Sequence, residues 1–327
     1  MALPLAALLS LGAAQPTAPA RPVCTPPQPE LAELSGLATD GQQWFAVSDG
    51  GQRLEVFVLD PATCAIDDVI TADVNPYDVE DLALGSDGAL WLADTGDNDR
   101  DRETVALHRL TPEGEATLFR LVYPDGPHDA EALLLDRAGV PHIVTKEVLG
   151  PAAVYRPEGP LRAPGPTSLQ RVASVRLGPT DTPGGPAGEV GSALVTGAAM
   201  SGDGSVLALR TYSDAYLYAV PDGDVVAALG RAPVRIALPG EPQGEAVALA
   251  PDGTLLSGSE GGVPIRAMPA ATAPLSSQPA PHAVDTPDRA QGESATGDDG
   301  FVPWPAAALT AALATIVVAF GVRRRRS

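Results

Sequence analysis

Five times along the chain a polar residue opens a short apolar run, a turn follows, and a second apolar run comes after it. The five copies read SGLATDGQQWFAVSD, EDLALGSDGALWLADTGD, EALLLDRAGVPHIVTKE, TGAAMSGDGSVLALRTYSD and EAVALAPDGTLLSGSEGG. Short apolar runs bounded by Gly, Asp and Pro predict strands joined by tight turns. The second copy continues into EDLALG, ALWLAD, TVALHRL and ATLFRLVYP, a set of four strands. The third gives EALLLD, PHIVTKE, AAVYRP and LQRVASVRL, and the fourth TGAAMS, VLALRTYS, AYLYAVP and VRIALPG. Helical periodicity is absent from all of them.

The polar residues that open the copies are Ser35, Glu80, Glu131, Thr196 and Glu245, at spacings of 45, 51, 65 and 49 residues. A unit of that length, unable to bury its apolar faces alone, must stack on its copies. The expected fold is therefore all-β, a β-propeller of four-stranded antiparallel blades. It has five blades, or six if the long third-to-fourth spacing, with TDTPGGPAGEVGSALV, holds a degenerate one. The last copy supplies three strands, ending at IRAM, and the segment around Cys24 to Leu34 is available to donate the fourth and remove two exposed edges. Cys24 and Cys64 are the only cysteines. In an exported chain an even count predicts a disulfide, here one that locks the ring.

Both ends read as targeting segments. Residues 1–20 resemble a signal peptide, with Ala18 and Ala20 forming a small-residue cleavage site. Residues 304–322, WPAAALTAALATIVVAFGV, are long enough to cross about 30 Å of hydrocarbon, and residues 323–327 begin with four arginines. Positive charge stays on the cytoplasmic side, which predicts a single-pass type I protein of the cell membrane with the propeller, residues 21–268, extracytoplasmic. Residues 269–303, rich in Pro, Ala, Ser, Thr and acids, read as a disordered stalk.

The formal charge is minus 20, and without the four terminal arginines the rest of the chain carries about minus 24. Such a surface repels nucleic acid. Lys146 is the only lysine.

The stretches ELSGLA, YDVEDLALGSDGALWLADTGDNDRDR, HDAEALLLDRAGVPHIVTKE, VTGAAMSGDGSVLALRTYSDAYLY and PQGEAVALAPDG resemble a family of exported bacterial β-propeller proteins, related in pattern to NHL-type and esterase-like phytase propellers. The resemblance runs from about Glu33 to Arg266. It implies the fold and brings no set of catalytic residues with it.

In a propeller the first strand of each blade lines the central channel. Glu80, Glu131 and Glu245, joined by Asp81 and Asp129, then converge near one channel mouth, a costly arrangement unless a cation or protons compensate. A hard divalent ion, Ca²⁺ above all, would relieve it, with Glu80, Glu131 and Glu245 as its ligands. The other reading makes each carboxylate a cap on backbone N–H groups of the next blade. A second ring of Asp49, Asp94, Lys146, Arg210 and Glu260 follows from the ends of the second strands, and its mixed signs suit substrate binding or salt bridging. Lys146 beside Glu147 reads first as one half of an ion pair, with contact to a phosphate or carboxylate, or a nucleophilic role when desolvated, as the alternatives. The alternating Asp97, Asp99 and Asp101 read as a solvated hairpin tip. His128, beside Asp129, is placed to assist at the mouth.

No G-x-S-x-G elbow and no histidine ligand spacing occur. Two function classes remain. One is a binding module, possessing a Ca²⁺-stabilised ring that presents loops to an envelope protein, a glycan or a small ligand. The other is a metal-assisted hydrolase of phosphate esters or glycosides working through the channel-mouth carboxylates.

Overall fold

The computed structural model describes residues 19–49 and 51–277. An edge segment, β1 (Arg21–Cys24), precedes five four-stranded units. The first unit comprises β2 (Leu34–Thr39), β3 (Trp44–Ser48), β4 (Leu54–Leu59) and β5 (Ile66–Ala72). The second comprises β6 (Val79–Leu84), β7 (Leu90–Asp94), β8 (Val105–Leu110) and β9 (Ala116–Val122). The third holds β10 (Ala130–Leu135), β11 (Pro141–Thr145), β12 (Ala152–Pro157) and β13 (Thr167–Val175). The fourth holds β14 (Val195–Met200), β15 (Val206–Thr211), β16 (Asp214–Ala219) and β17 (Val234–Ala237). The fifth is β18 (Gln243–Leu249), β19 (Leu255–Glu260) and β20 (Ile265–Met268), completed by β1.

Strands within each unit pair antiparallel with their chain neighbours, and the innermost strands β2, β6, β10, β14 and β18 succeed one another until β18 returns to β2. This is the ring that the repeat spacing predicts. Each seam between adjacent sheets holds its own apolar core. Phe45, Val47 and Val56 meet Leu82, Leu90 and Leu92 between the first and second sheets, and Phe57 and Leu59 meet Ala246 and Leu256 between the first and fifth. A sheet buried on both faces explains why the apolar runs are nearly continuous rather than alternating.

The closing strand lies slightly upstream of the expected segment. Arg21, Pro22 and Cys24 pair with Ala267, Arg266 and Ile265, while the chain after Cys24 leaves the sheet in turns. Prolines at 26, 27 and 29 withhold backbone donors and account for that departure. The Cys24–Cys64 disulfide is present and joins the closing strand to the β4–β5 connection of the first sheet.

The long connection between β13 and β14 contains no strand among the described residues, only the short helix α1 (Gly188–Gly191), so it holds no degenerate blade. A second short helix, α2 (Val225–Leu229), sits between β16 and β17 with Asp224 capping it by accepting from Ala227 N. Its single apolar turn is too short to show helical periodicity in sequence. Ala271 and Leu275, on the stretch read as stalk, are buried against the fourth and fifth sheets. Residues 1–18 of the expected signal peptide 1–20, the remainder of the stalk from 278, the expected membrane span and the arginine tail lie outside the described residues, while Ala20, at the end of the expected signal peptide, is buried with the apolar residues of the fourth and fifth sheets. Among the described residues no helix is long and apolar enough to cross a membrane.

Candidate functional site

The five repeated opening residues share one backbone irregularity. In every inner strand the antiparallel register slips at that position: around Ser35 in β2, Glu80 in β6, Glu131 in β10, Thr196 in β14 and Glu245 in β18. A bulge puts an extra residue into one strand and re-aims its side chain. The repeat in the sequence is therefore a repeat of bulges at one end of the channel.

Hydroxyls at two of these positions, and that of Thr95 just past β7, tie blades together. Ser35 Oγ donates to the Glu80 carbonyl, Thr196 Oγ1 to the Gly244 carbonyl at 2.8 Å, and Thr95 Oγ1 to the Ala130 carbonyl at 2.6 Å. Asp81 performs the carboxylate version. It is fully buried and accepts backbone N–H groups from Leu82, Leu133 and Ala198, at 2.8, 2.7 and 3.1 Å. Burial pushes its carboxyl well above the usual range while the three donors pull the other way. Asp81 is thus placed as a latch within the ring.

The glutamates are arranged differently. Glu80, Glu131 and Glu245 are only 5%, 3% and 5% exposed, and among the described residues no backbone N–H donates to their carboxylates. Two carboxylate groups form instead, each with one oxygen per residue within 4.8 Å of the others: Asp49, Asp78 and Glu80, then Glu80, Asp129 and Glu131. Glu80 belongs to both. Glu131 Oε1 pairs with Lys146 Nζ, and Glu131 Oε2 is buried with no hydrogen-bond partner. Glu245 lies outside these groups, where Gln243 Nε2 donates to it at 3.0 Å and also reaches Glu260.

Crowding and burial keep these acids protonated to unusually high pH. Burial raises Asp49 to about 6 despite its hydrogen bond with Asp78. Burial and the adjacent Asp49 raise Asp78 to about 7. Burial holds Glu131 at about 7 even with Lys146 beside it, and pushes Glu80 and Glu245 well above the usual range, helped by the Glu131 charge. Lys146, buried yet raised above its ordinary value by Glu131, stays an ammonium. Its Nζ lies 5.2 Å from the Tyr212 ring centroid.

The segment 94–102 builds the floor between the two groups. Asp94 accepts Tyr77 N and Asp78 N, both at 3.0 Å, together with Arg102 and His108. Burial pushes its carboxyl up, but His108 and Arg102 hold it below the ordinary aspartate range. A Cβ on Gly96 would collide with Glu80 Oε1 and Asp78 Oδ2, so only glycine lets these carboxylates converge there. Asp97 is 3% exposed, contrary to its expected place on a solvated tip. It accepts Asp101 N and Arg102 N, and its own N–H donates to Asp129 at 2.9 Å. The tip turns inward because those donors need an acceptor; Asp99 and Asp101 remain exposed.

Arg210 is completely buried, bonded to Glu241 and to Ser257 Oγ at 2.5 Å, which commits it to the seam between the fourth and fifth sheets. His128 is held by Asp125 at 3.1 Å and Tyr155 at 3.0 Å. A cavity of about 250 Å³ opens beside Asp49, with Glu33, Arg53, Glu55 and Val79 among its lining residues.

Asp78 is the site residue that reading the sequence passed over. The signal was present: Asp78 and Glu80, Asp129 and Glu131, and Gln243 and Glu245 each lie two apart, on one face of an extended chain.

No protein-family model matches the chain, and no curated protein matches it in sequence. Solved β-propellers resemble it distantly. A gluconolactonase from Xanthomonas campestris is 14% identical with a TM-score of 0.42, over 78% of this chain and 98% of that one. A PQQ-bound aldose sugar dehydrogenase from Streptomyces coelicolor is 11% identical with a TM-score of 0.41, over 76% and 95%. A virginiamycin B lyase from Staphylococcus aureus is 13% identical with a TM-score of 0.36, over 72% and 66%.

Proposed function

We propose that this is a membrane-anchored, extracytoplasmic β-propeller that binds a hard divalent cation, Ca²⁺, at one channel mouth and uses that face to capture an anionic ligand or an envelope partner. The observation that carries the reading is the buried, unpartnered Glu131 Oε2 beside Glu80 and Asp129. A buried carboxylate oxygen without a donor costs free energy, and a cation among all-oxygen ligands removes that cost. Nitrogen and sulfur donors are lacking from both carboxylate groups, which suits Ca²⁺ over zinc or copper.

A second reading rests on Glu131 and Lys146. A carboxyl that titrates near 7 beside a buried ammonium has the properties of a general base and an anion holder in metal-assisted hydrolysis of a phosphate ester or glycoside. Calorimetric titration of the full chain with Ca²⁺ tests the first reading: saturable binding that Glu131→Gln weakens supports it, and no heat in wild type rejects it. Assay of the Ca²⁺-loaded protein on phosphomonoester and glycoside panels tests the second. Turnover abolished by Glu131→Gln supports hydrolysis; binding without turnover leaves the capture function.

A further inference from the structure

The two carboxylate groups are not alternatives, because they share a residue. We propose that Glu80 bridges two divalent cations, one held with Asp49 and Asp78 and the other with Asp129 and Glu131. This rests on the cation-binding reading above and specifies its stoichiometry.

Charge is the first argument. Asp49, Asp78, Glu80, Asp129 and Glu131 carry five negative charges when ionised, and Lys146 supplies one positive charge inside the cluster. Two divalent ions cancel the remainder; one ion leaves two uncompensated negative charges among largely buried groups, a costly residue of charge. Arg102 and Arg100 do not fill the gap, since they are engaged by Asp94 and Glu147.

Geometry is the second. Glu80 is 5% exposed and its carboxylate belongs to both groups. That is the place a bridging carboxylate takes in two-metal sites with ions about 3.5–4 Å apart. Glu131 Oε2 is buried and unpartnered on the second side. On the first, Gly96 keeps open the space in which Asp78 and Glu80 approach one another. Each side also has its own backbone support: Asp94 fixes the Asp78 segment, and Asp97 N–H fixes Asp129.

The test is titration of the full chain with Ca²⁺ by calorimetry, and with Mn²⁺ followed by electron paramagnetic resonance. Two equivalents per chain, with an exchange-coupled Mn²⁺ spectrum, are expected. Asp78→Asn, or Asp49→Asn should that variant misfold, should lower the stoichiometry to one; Asp129→Asn should do the same from the other side. Either single variant should give an uncoupled Mn²⁺ spectrum. One equivalent in wild type overturns the bridge and leaves the single-cation reading standing. Two equivalents with uncoupled spectra overturn the bridge as well. No binding overturns both.

Discussion

Asp81 on the second inner strand accepts the backbone N–H of Ala198 on the fourth, 117 positions further along the chain, at 3.1 Å. A contact that skips an intervening blade is possible only where the ring is narrow, and Asp81 spans it while also holding Leu133 on the third inner strand. Asp81→Asn keeps the shape but replaces one acceptor oxygen with a donor facing an N–H. We expect a loss of about 1–3 kcal/mol per stranded donor, read as a lower midpoint in urea. Unchanged stability would show that the three bonds are not made.

Asp49, Asp78 and Glu131 retain protons in the folded state up to about pH 6 to 7, whereas the same groups unfolded release them near their ordinary values of 3.8 and 4.5. Between those limits the folded state binds more protons than the unfolded one, so stability falls as pH rises. The slope is up to about 1.4 kcal/mol per pH unit for each group. Cation-free protein should melt at higher temperature at pH 5 than at pH 7.5. Ca²⁺ needs ionised ligands, so its stabilising effect should be larger at pH 7.5, and calorimetric melts with and without Ca²⁺ at both pH values check both signs.

Gly96→Ala should reduce Ca²⁺ affinity about tenfold or more, the range seen when groups supporting a metal site are removed, since its Cβ would displace Glu80 and Asp78. Gly202→Ala is the control, because nothing lies within 4 Å of a Cβ there. Equal affinities in the two variants would remove Gly96 from the site.

Arg210→Met should destabilise the ring by about 3–5 kcal/mol, the cost of stranding a buried charge partner. Glu241 would keep the Ser257 hydroxyl at 2.7 Å and, as its one remaining cation, Arg266 at 3.4 Å. Arg210→Met together with Glu241→Gln should recover part of the loss in denaturant unfolding, which separates a broken ion pair from a simple packing defect.

Replacing Cys24 and Cys64 by serine opens a loop of 40 residues. Chain entropy puts the cost at about 4 kcal/mol. A thermal scan under reducing conditions should reproduce the double variant's lowered melting temperature in wild type and leave the variant unmoved.

Blade order and strand positions could be read from the sequence because each strand is a nearly unbroken apolar run between turn formers, as in EALLLD and PHIVTKE. Ser35, Glu80, Glu131, Thr196 and Glu245 stood out by periodicity, yet periodicity could not divide their roles. Hydroxyls at Ser35 and Thr196 reach a neighbouring carbonyl, while the glutamates meet other carboxylates. That division depends on which side chains face each other across the channel, a relation between residues some fifty positions apart. Arg210 and Lys146 both follow apolar runs, but Arg210 lies one residue before the Thr211–Val195 pair and Lys146 one residue past the equivalent Thr145–Ala130 pair, and that difference in register goes with Arg210 in a seam against Glu241 and Lys146 at Glu131.

The outer strands β9 and β13 pair in parallel through Thr167 with Leu121 and Ser168 with Val122, merging the second and third sheets into one eight-stranded sheet. The second and third blades are thereby joined at their outer strands as well as packed at their inner ones. Glu80, Asp129 and Glu131 all belong to this doubled sector or its edge, so the crowded carboxylates are carried by the two blades that share one continuous sheet.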